Sequence, residues 1–141
     1  MMKQNLNIFA RMTVALLLLL SVNLCVNADT LRKGVSIVGK IESNGDVRIN
    51  GSIVGRFESN GDIRVNGSIM GKIESNGDIR KKGSIVGKIE SNGDVRISGS
   101  IVGKIERNGD VRKSGSIIGK AEQMSDPRRV AVMYFFDFFK L

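Results

Sequence analysis

Histidine and tryptophan are absent from the 141 residues, and cysteine, proline and tyrosine occur once each. Without imidazole the chain has neither the usual general base near neutral pH nor the commonest nitrogen ligand for zinc. A single thiol closes no disulfide within the chain, so stability must come from packing and backbone hydrogen bonds. The recurrent serines, Ser52, Ser68 and Ser84 among them, have no obvious base beside them, which argues against nucleophilic catalysis. Aromatic residues make up only 5% of the chain, and Phe57 is the one aromatic between residues 29 and 124. That leaves no stacking platform for single-stranded nucleic acid. Lysine and arginine number 22 against 14 acidic residues, a net charge of +8. The cations are spread along the chain beside Glu and Asp, the pattern of a solvated face rather than of a nucleic-acid surface. An anionic envelope surface is the one weak electrostatic partner this charge suggests.

Glycine, by contrast, is abundant at 17 residues, and its spacing is regular. A sixteen-residue unit, Gly-Ser-Ile-Val-Gly-Lys-Ile-Glu-Ser-Asn-Gly-Asp-Val-Arg-x-x, recurs five times from Val35, Gly51, Gly67, Gly83 and Gly99. Within the second copy Ile53, Gly55 and Phe57 alternate with Ser52, Val54, Arg56 and Glu58, the period of a strand. Ser59-Asn60-Gly61 then makes a turn, and Asp62-Ile63-Arg64-Val65 alternates again. A two-residue loop would set Phe57 against Arg64 and mix the two faces. A three-residue loop, a type I turn closed by Gly61 in a left-handed bulge position, sets Phe57 opposite Ile63. The second register gives an apolar face of Ile53, Gly55, Phe57, Ile63 and Val65, and a polar face of Val54, Arg56, Glu58, Asp62 and Arg64. On that polar face Glu58 reaches Arg64 diagonally, and Arg56 reaches Asp62. The mid-strand glycines Gly39, Gly55, Gly71, Gly87, Gly103 and Gly119 either let neighbouring backbones or bulky side chains approach closely or mark a tight bend.

The junctions Asn50-Gly51 and Ser98-Gly99 supply a second turn, so hairpins follow one another with almost no linker. One hairpin is marginal in water, and several must share a core. Thr30–Lys33 matches the second strand of a unit, and residues 115–122 match the first. Pairing of these half-repeats would close a ring and remove the open edges. The expected fold is therefore all-β, a closed radial array of antiparallel hairpins rather than an open solenoid. Whether the half-repeats form a sixth unit is open at this level.

Three segments follow from composition: 1–28, 29–124 with full repeats at 35–114, and 125–141. In the first, Lys3 and Arg11 precede an apolar run from Val14 to Val26, and Val26-Asn27-Ala28 supplies small residues for a signal peptidase. The run is short for a membrane span. This reads as an export signal cut after Ala28. Lipid attachment at Cys25 is disfavoured by Asn23 and Leu24 ahead of it. In the last segment Ser125-Asp126-Pro127 resembles a helix start, and Ala131, Tyr134, Phe135 and Phe138 fall on one helical face, although alternation also suits a strand. Such a tail either plugs one end of the ring or offers an apolar surface to a partner.

Repetition also produces candidate rings of charge. These are Lys40, Arg56, Lys72, Lys88, Lys104 and Lys120; Arg48, Arg64, Arg80, Arg96 and Arg112; and Asp46, Asp62, Asp78, Asp94 and Asp110. Facing a channel they could hold an anion or calcium; facing solvent they pair across the hairpin. No catalytic residue, cofactor or metal ligand is singled out.

The repeat, the leading segment and the closing Arg129-Val130-Ala131-Val132-Met133-Tyr134-Phe135-Phe136 together resemble the bacterial five-fold beta-flower proteins. The resemblance implies hairpin petals about an axis in an exported protein, with no established activity. The function expected on these grounds is an exported, non-enzymatic module of the envelope, periplasmic or at the cell surface. Its partner would be an envelope glycan or protein. Two rivals stand beside it: a carboxylate-based hydrolase at the ring axis, and an envelope component that oligomerises through the aromatic tail. Monomer and homo-oligomer are equally open.

Overall fold

The computed structural model describes residues 28–141. The leading segment with its candidate signal, including Cys25, lies outside the described residues. Twelve strands follow in order: β1 (Asp29–Lys33), β2 (Ser36–Ile41), β3 (Asp46–Ile49), β4 (Ser52–Phe57), β5 (Asp62–Val65), β6 (Ser68–Ile73), β7 (Asp78–Lys81), β8 (Ser84–Ile89), β9 (Asp94–Ile97), β10 (Ser100–Ile105), β11 (Asp110–Lys113) and β12 (Ser116–Glu122). Each pairs antiparallel with its sequence neighbours, and the sheet closes on itself as a barrel. Closure runs through β1 and β12, with Leu31 opposite Ala121 and Arg32 opposite Lys120. The terminal half-repeats thus make a sixth hairpin unit.

Two turn types alternate along the chain. At the Ser-Asn-Gly loops Gly61 N donates to Glu58 O at 3.0 Å and Glu58 N donates to Asp62 O at 2.9 Å. Gly61 has a φ of 97°. This is the three-residue loop, and it sets Phe57 opposite Ile63 as expected. Asn60 completes it by accepting from Asp62 N at 2.9 Å. At the second junction Asn50 and Gly51 have φ of 52° and 80°, a two-residue turn of the type that matches strand twist.

That second turn brings a correction. Between β3 and β4 the register jumps from Val47↔Gly55 to Arg48↔Ile53, which leaves Val54 as an extra, bulged residue. The same jump recurs between β1 and β2, β5 and β6, β7 and β8, β9 and β10, and β11 and β12. The bulge exchanges two side chains: Val54 packs against the core, and Ile53 is 53% exposed. The expected assignment of Ile53 to the apolar face and Val54 to the polar face is reversed. One inserted residue shifts the period-two alternation by one place.

The tail is a helix, α1 (Pro127–Phe135), capped by Asp126, whose side chain accepts from Arg128 N. Arg128 and Arg129, poorly placed for a helix N-terminus, are compensated by that same carboxylate, with Arg128 Nη2 at 3.1 Å and Arg129 Nε at 3.9 Å. Val130, Ala131, Val132 and Met133 are consecutive and all buried, as expected of a helix enclosed on every side rather than laid on a surface. Helical structure ends at Phe135, so Phe138 does not share a helical face with Ala131 and Tyr134.

What fills the barrel explains the mid-strand glycines. A β-carbon on Gly119 would meet Tyr134, on Gly103 Phe135, on Gly87 Phe136, on Gly71 Phe138, on Gly55 Phe139 and on Gly39 Leu141. Six successive hairpin units, taken backwards, receive six tail side chains taken forwards. A β-carbon at Gly71 would lie 2.7 Å from Phe138 Cε1 and also collide with the Arg80 carbonyl, so close approach is the role of these glycines. Around them Leu31, Val47, Ile63, Ile79, Val95 and Val111 are fully buried.

Polar contacts hold the plug at both ends. Tyr134 Oη donates to Arg32 O at 2.6 Å, and burial pushes its pKa up to about 12, so it stays a donor at any ordinary pH. Lys81 Nζ donates to Asp137 O at 3.2 Å and Lys33 Nζ to Leu141 O at 3.1 Å. At the other end the buried Asp29 carboxylate accepts from Ser125 N and Ser125 Oγ. Burial raises the Asp29 pKa, and the Ser125 bonds offset that only in part.

Two outcomes follow for stability, both readable by urea unfolding. Phe136→Ala empties a buried socket and is expected to cost about 3–5 kcal/mol. For Asp29, a folded pKa above the unfolded one means that the charged form weighs against the fold. That cost is present at neutral pH, shrinks as pH falls through the raised pKa, and is gone below the unfolded value. Asp29→Asn should therefore improve stability relative to the parent at pH 7, with the difference fading as the pH approaches about 4.

Candidate assembly surface

With the axis occupied, any site has to lie on the outer wall or the rims. The wall is layered, because each strand repeats the same alternation at the same height. Arg48, Arg64, Arg80, Arg96 and Arg112 all point outward. Each pairs with the glutamate six residues before it, at 2.7 Å for Arg48–Glu42 and 3.2 Å for Arg112–Glu106. Arg32–Glu122 at 2.7 Å completes the layer across the closure. The same arginines reach up to the two-residue turns, as Arg48 Nη1 does to Gly51 O at 3.1 Å. The expected diagonal pair of Glu58 with Arg64 is present at 2.7 Å.

The second layer departs from expectation. Asp46 lies opposite Arg56, Asp62 opposite Lys72, Asp78 opposite Lys88, Asp94 opposite Lys104 and Asp110 opposite Lys120. Arg56 therefore pairs with Asp46 of the preceding unit, at 3.9 Å, and not with Asp62. Lys40 has Thr30 across from it instead of a carboxylate. None of the three charged series faces a channel. Among the described residues no group of three or more acidic, histidine or cysteine side chains is placed to hold a metal ion. A hydrolase at the ring axis is likewise without a site, since apolar helix and aromatic side chains occupy that space. The tail aromatics Phe136, Phe138 and Phe139 are buried inside, which removes them as an oligomerisation surface.

What the sequence reading missed lies above the arginine layer. Ile37, Ile53, Ile69, Ile85, Ile101 and Ile117 form a collar around the two-residue-turn end, each between 53% and 61% exposed. Every one sits opposite an arginine of the first layer: Arg32 for Ile37, Arg48 for Ile53, Arg80 for Ile85. At this end the two strands of the β8–β9 hairpin part early. The β8–β9 ladder stops at Lys88↔Arg96, leaving a groove of about 530 Å3 lined by Ile85, Val86, Lys88, Arg96 and Ser98. Only the bulge turns these isoleucines outward, and Ile-Val-Gly, two β-branched residues and a glycine, gives no alternation from which to locate a bulge.

Residues 52–125, just over half of the chain, match the bactofilin family, described as polymer-forming and cytoskeletal. No curated protein and no solved structure matches the chain. The family match overturns the likeness to five-fold beta-flower proteins, and six hairpins rather than five surround the axis. The residues that suggested the likeness are those any short hairpin of this kind requires, a left-handed glycine and alternating apolar positions, so they report shape and not lineage. A cytoskeletal polymer former is likewise not an exported envelope module, and the expected periplasmic or cell-surface address and the glycan or envelope-protein partner fall with it. Among the described residues no helix is long and apolar enough to cross a membrane.

The ion-pair layer sets register more than it adds stability, since its members are about a third exposed. Arg80→Ala is expected to cost no more than about 1 kcal/mol in urea unfolding, well below the loss from emptying a socket of the plug.

Proposed function

This chain belongs to the bactofilin family, and from that membership we propose that it is the subunit of a cytoskeletal polymer made of copies of itself. The observation that carries the reading is the match of its repeats, residues 52–125, to a family described by polymer formation. Closure of the barrel gives the proposal its physical form. Growth by strand addition needs a free edge, and β1–β12 pairing leaves none. Subunits therefore join as intact barrels through side chains on the wall or rims, and the chain serves a structural role rather than a catalytic one.

The test is purification of the full chain, sedimentation across a range of concentrations, and amide hydrogen exchange on the pelleted and unpelleted fractions. Polymer should appear above a threshold concentration, with amides of β1 and β12 equally protected in both fractions. No polymer at any concentration sinks the reading. Polymer that forms only with loss of β1–β12 protection shows assembly by opened edges instead.

A further inference from the structure

We propose that the isoleucine collar is the surface on which a second copy of this chain docks, two barrels meeting side by side with isoleucines of each seated between those of the other. The proposal rests on the polymer reading above and names its contact. Three features identify a second copy as the occupant. First, spacing: collar isoleucines stand two strands apart, about 10 Å around the wall, and the surface sure to repeat that spacing is another copy's collar. Second, shape: the six isoleucines stand out from the wall as knobs more than half exposed, with a groove of about 530 Å3 beside Ile85, so a half-step offset lets two collars interlock. Third, charge: the layer under the collar carries both signs in every unit, as in Arg96–Glu90 and Arg80–Glu74. A two-fold contact reverses one wall relative to the other and sets arginine against glutamate, so the surface complements itself.

The collar also accounts for open growth. A single self-complementary patch gives a dimer and stops. The collar runs around the whole wall, so isoleucines elsewhere on it remain free after each contact and addition continues. Net charge works the other way, since copies carrying +8 repel one another at long range. Salt screens this repulsion as well as the exposed arginine–glutamate pairs, which contribute little, and leaves the isoleucine contact unaffected, so its net effect should be to promote assembly.

The experiment compares the full-length parent with Ile53→Thr/Ile85→Thr/Ile117→Thr in sedimentation at low and high salt. Threonine keeps the β-branch that a strand favours, and the three sites are outward-facing, so circular dichroism and thermal unfolding of the unassembled protein should be unchanged. The expected result is a threshold concentration at least about tenfold higher for the triple variant, with salt lowering the parent's threshold. If the parent polymerises and the variant does so equally well, the collar is overturned while the polymer reading stands. If the parent never polymerises, the polymer reading itself fails. A second measurement covers a variant that does not fold: hydroxyl-radical footprinting of the parent before and after assembly. Oxidation of the collar isoleucines should fall several-fold on assembly, and unchanged oxidation would overturn the proposal.

Discussion

A closed barrel of twelve strands is wider inside than its own inward side chains can fill, since eight strands already give an interior that side chains only just occupy. Everything else in this structure depends on how that space is taken up. The chain fills it with its own C-terminal segment. Helix α1 supplies the axis, and the six side chains from Tyr134 to Leu141 radiate to the wall. Each meets a glycine because any β-carbon there would collide with it. The fit couples two features that are remote in sequence: a glycine repeated every sixteen residues and a tail that carries nearly all the aromatics. Neither is stable alone. The hairpins bury too little without the plug, and the plug would expose four phenylalanines without the hairpins.

The same fit governs the exterior. With apolar contacts consumed inside and every strand paired, the remaining opportunities for association are the residues turned outward. Charged pairs occupy most of that wall, and pairs of this exposure neither add much stability nor exclude water. Apart from Val35 at the β1–β2 turn, the aliphatic side chains most exposed on the wall are those that the bulge at Val54 and its counterparts turn outward. The bulge does so at one height in all six units. A bulge in a natural sheet commonly re-aims a side chain. Here it moves one isoleucine per unit from the core to the surface without leaving a hole, because the next residue in the run takes its place inside.

Much of this architecture was legible in the sequence because it rests on local chemistry. Asn60-Gly61-Asp62 specifies its loop by glycine's left-handed conformation and the asparagine side chain's bond to Asp62 N, and that loop decides the Phe57↔Ile63 register. Closure was legible because Thr30–Lys33 and residues 115–122 are complementary halves of one unit. The helix start at Asp126-Pro127 could be read for the same reason. The bulge, by contrast, depends on competition between turn geometry and side-chain alternation in Ile-Val-Gly, where both outcomes bury an aliphatic residue. The glycine–aromatic correspondence needed the helix direction and the stagger of the barrel, which are properties of the closed assembly. The family could not be read from the motif, because turn glycines and alternating aliphatics meet demands that unrelated hairpins share.

Symmetry finally separates the inside of this molecule from its outside. Inside, symmetry is broken: a single tail meets six near-identical sockets, and each takes a different residue or angle. Phe57, beside Phe139 with ring centres 6.0 Å apart and under the Arg129 guanidinium at 5.6 Å, marks one direction of the plug. Outside, the isoleucine and the arginine–glutamate pair recur in all six units, and the departures are confined to the β1–β2 side, where Val35 replaces a turn glycine and Lys40 faces Thr30. An enzyme concentrates unlike groups at one place. A polymer subunit needs the same weak contact at several places, each cheap to form and reinforced by the next. The interior of this chain is unique and tightly determined, whereas its wall is repetitive and moderately apolar, and that division is the one expected of a building block.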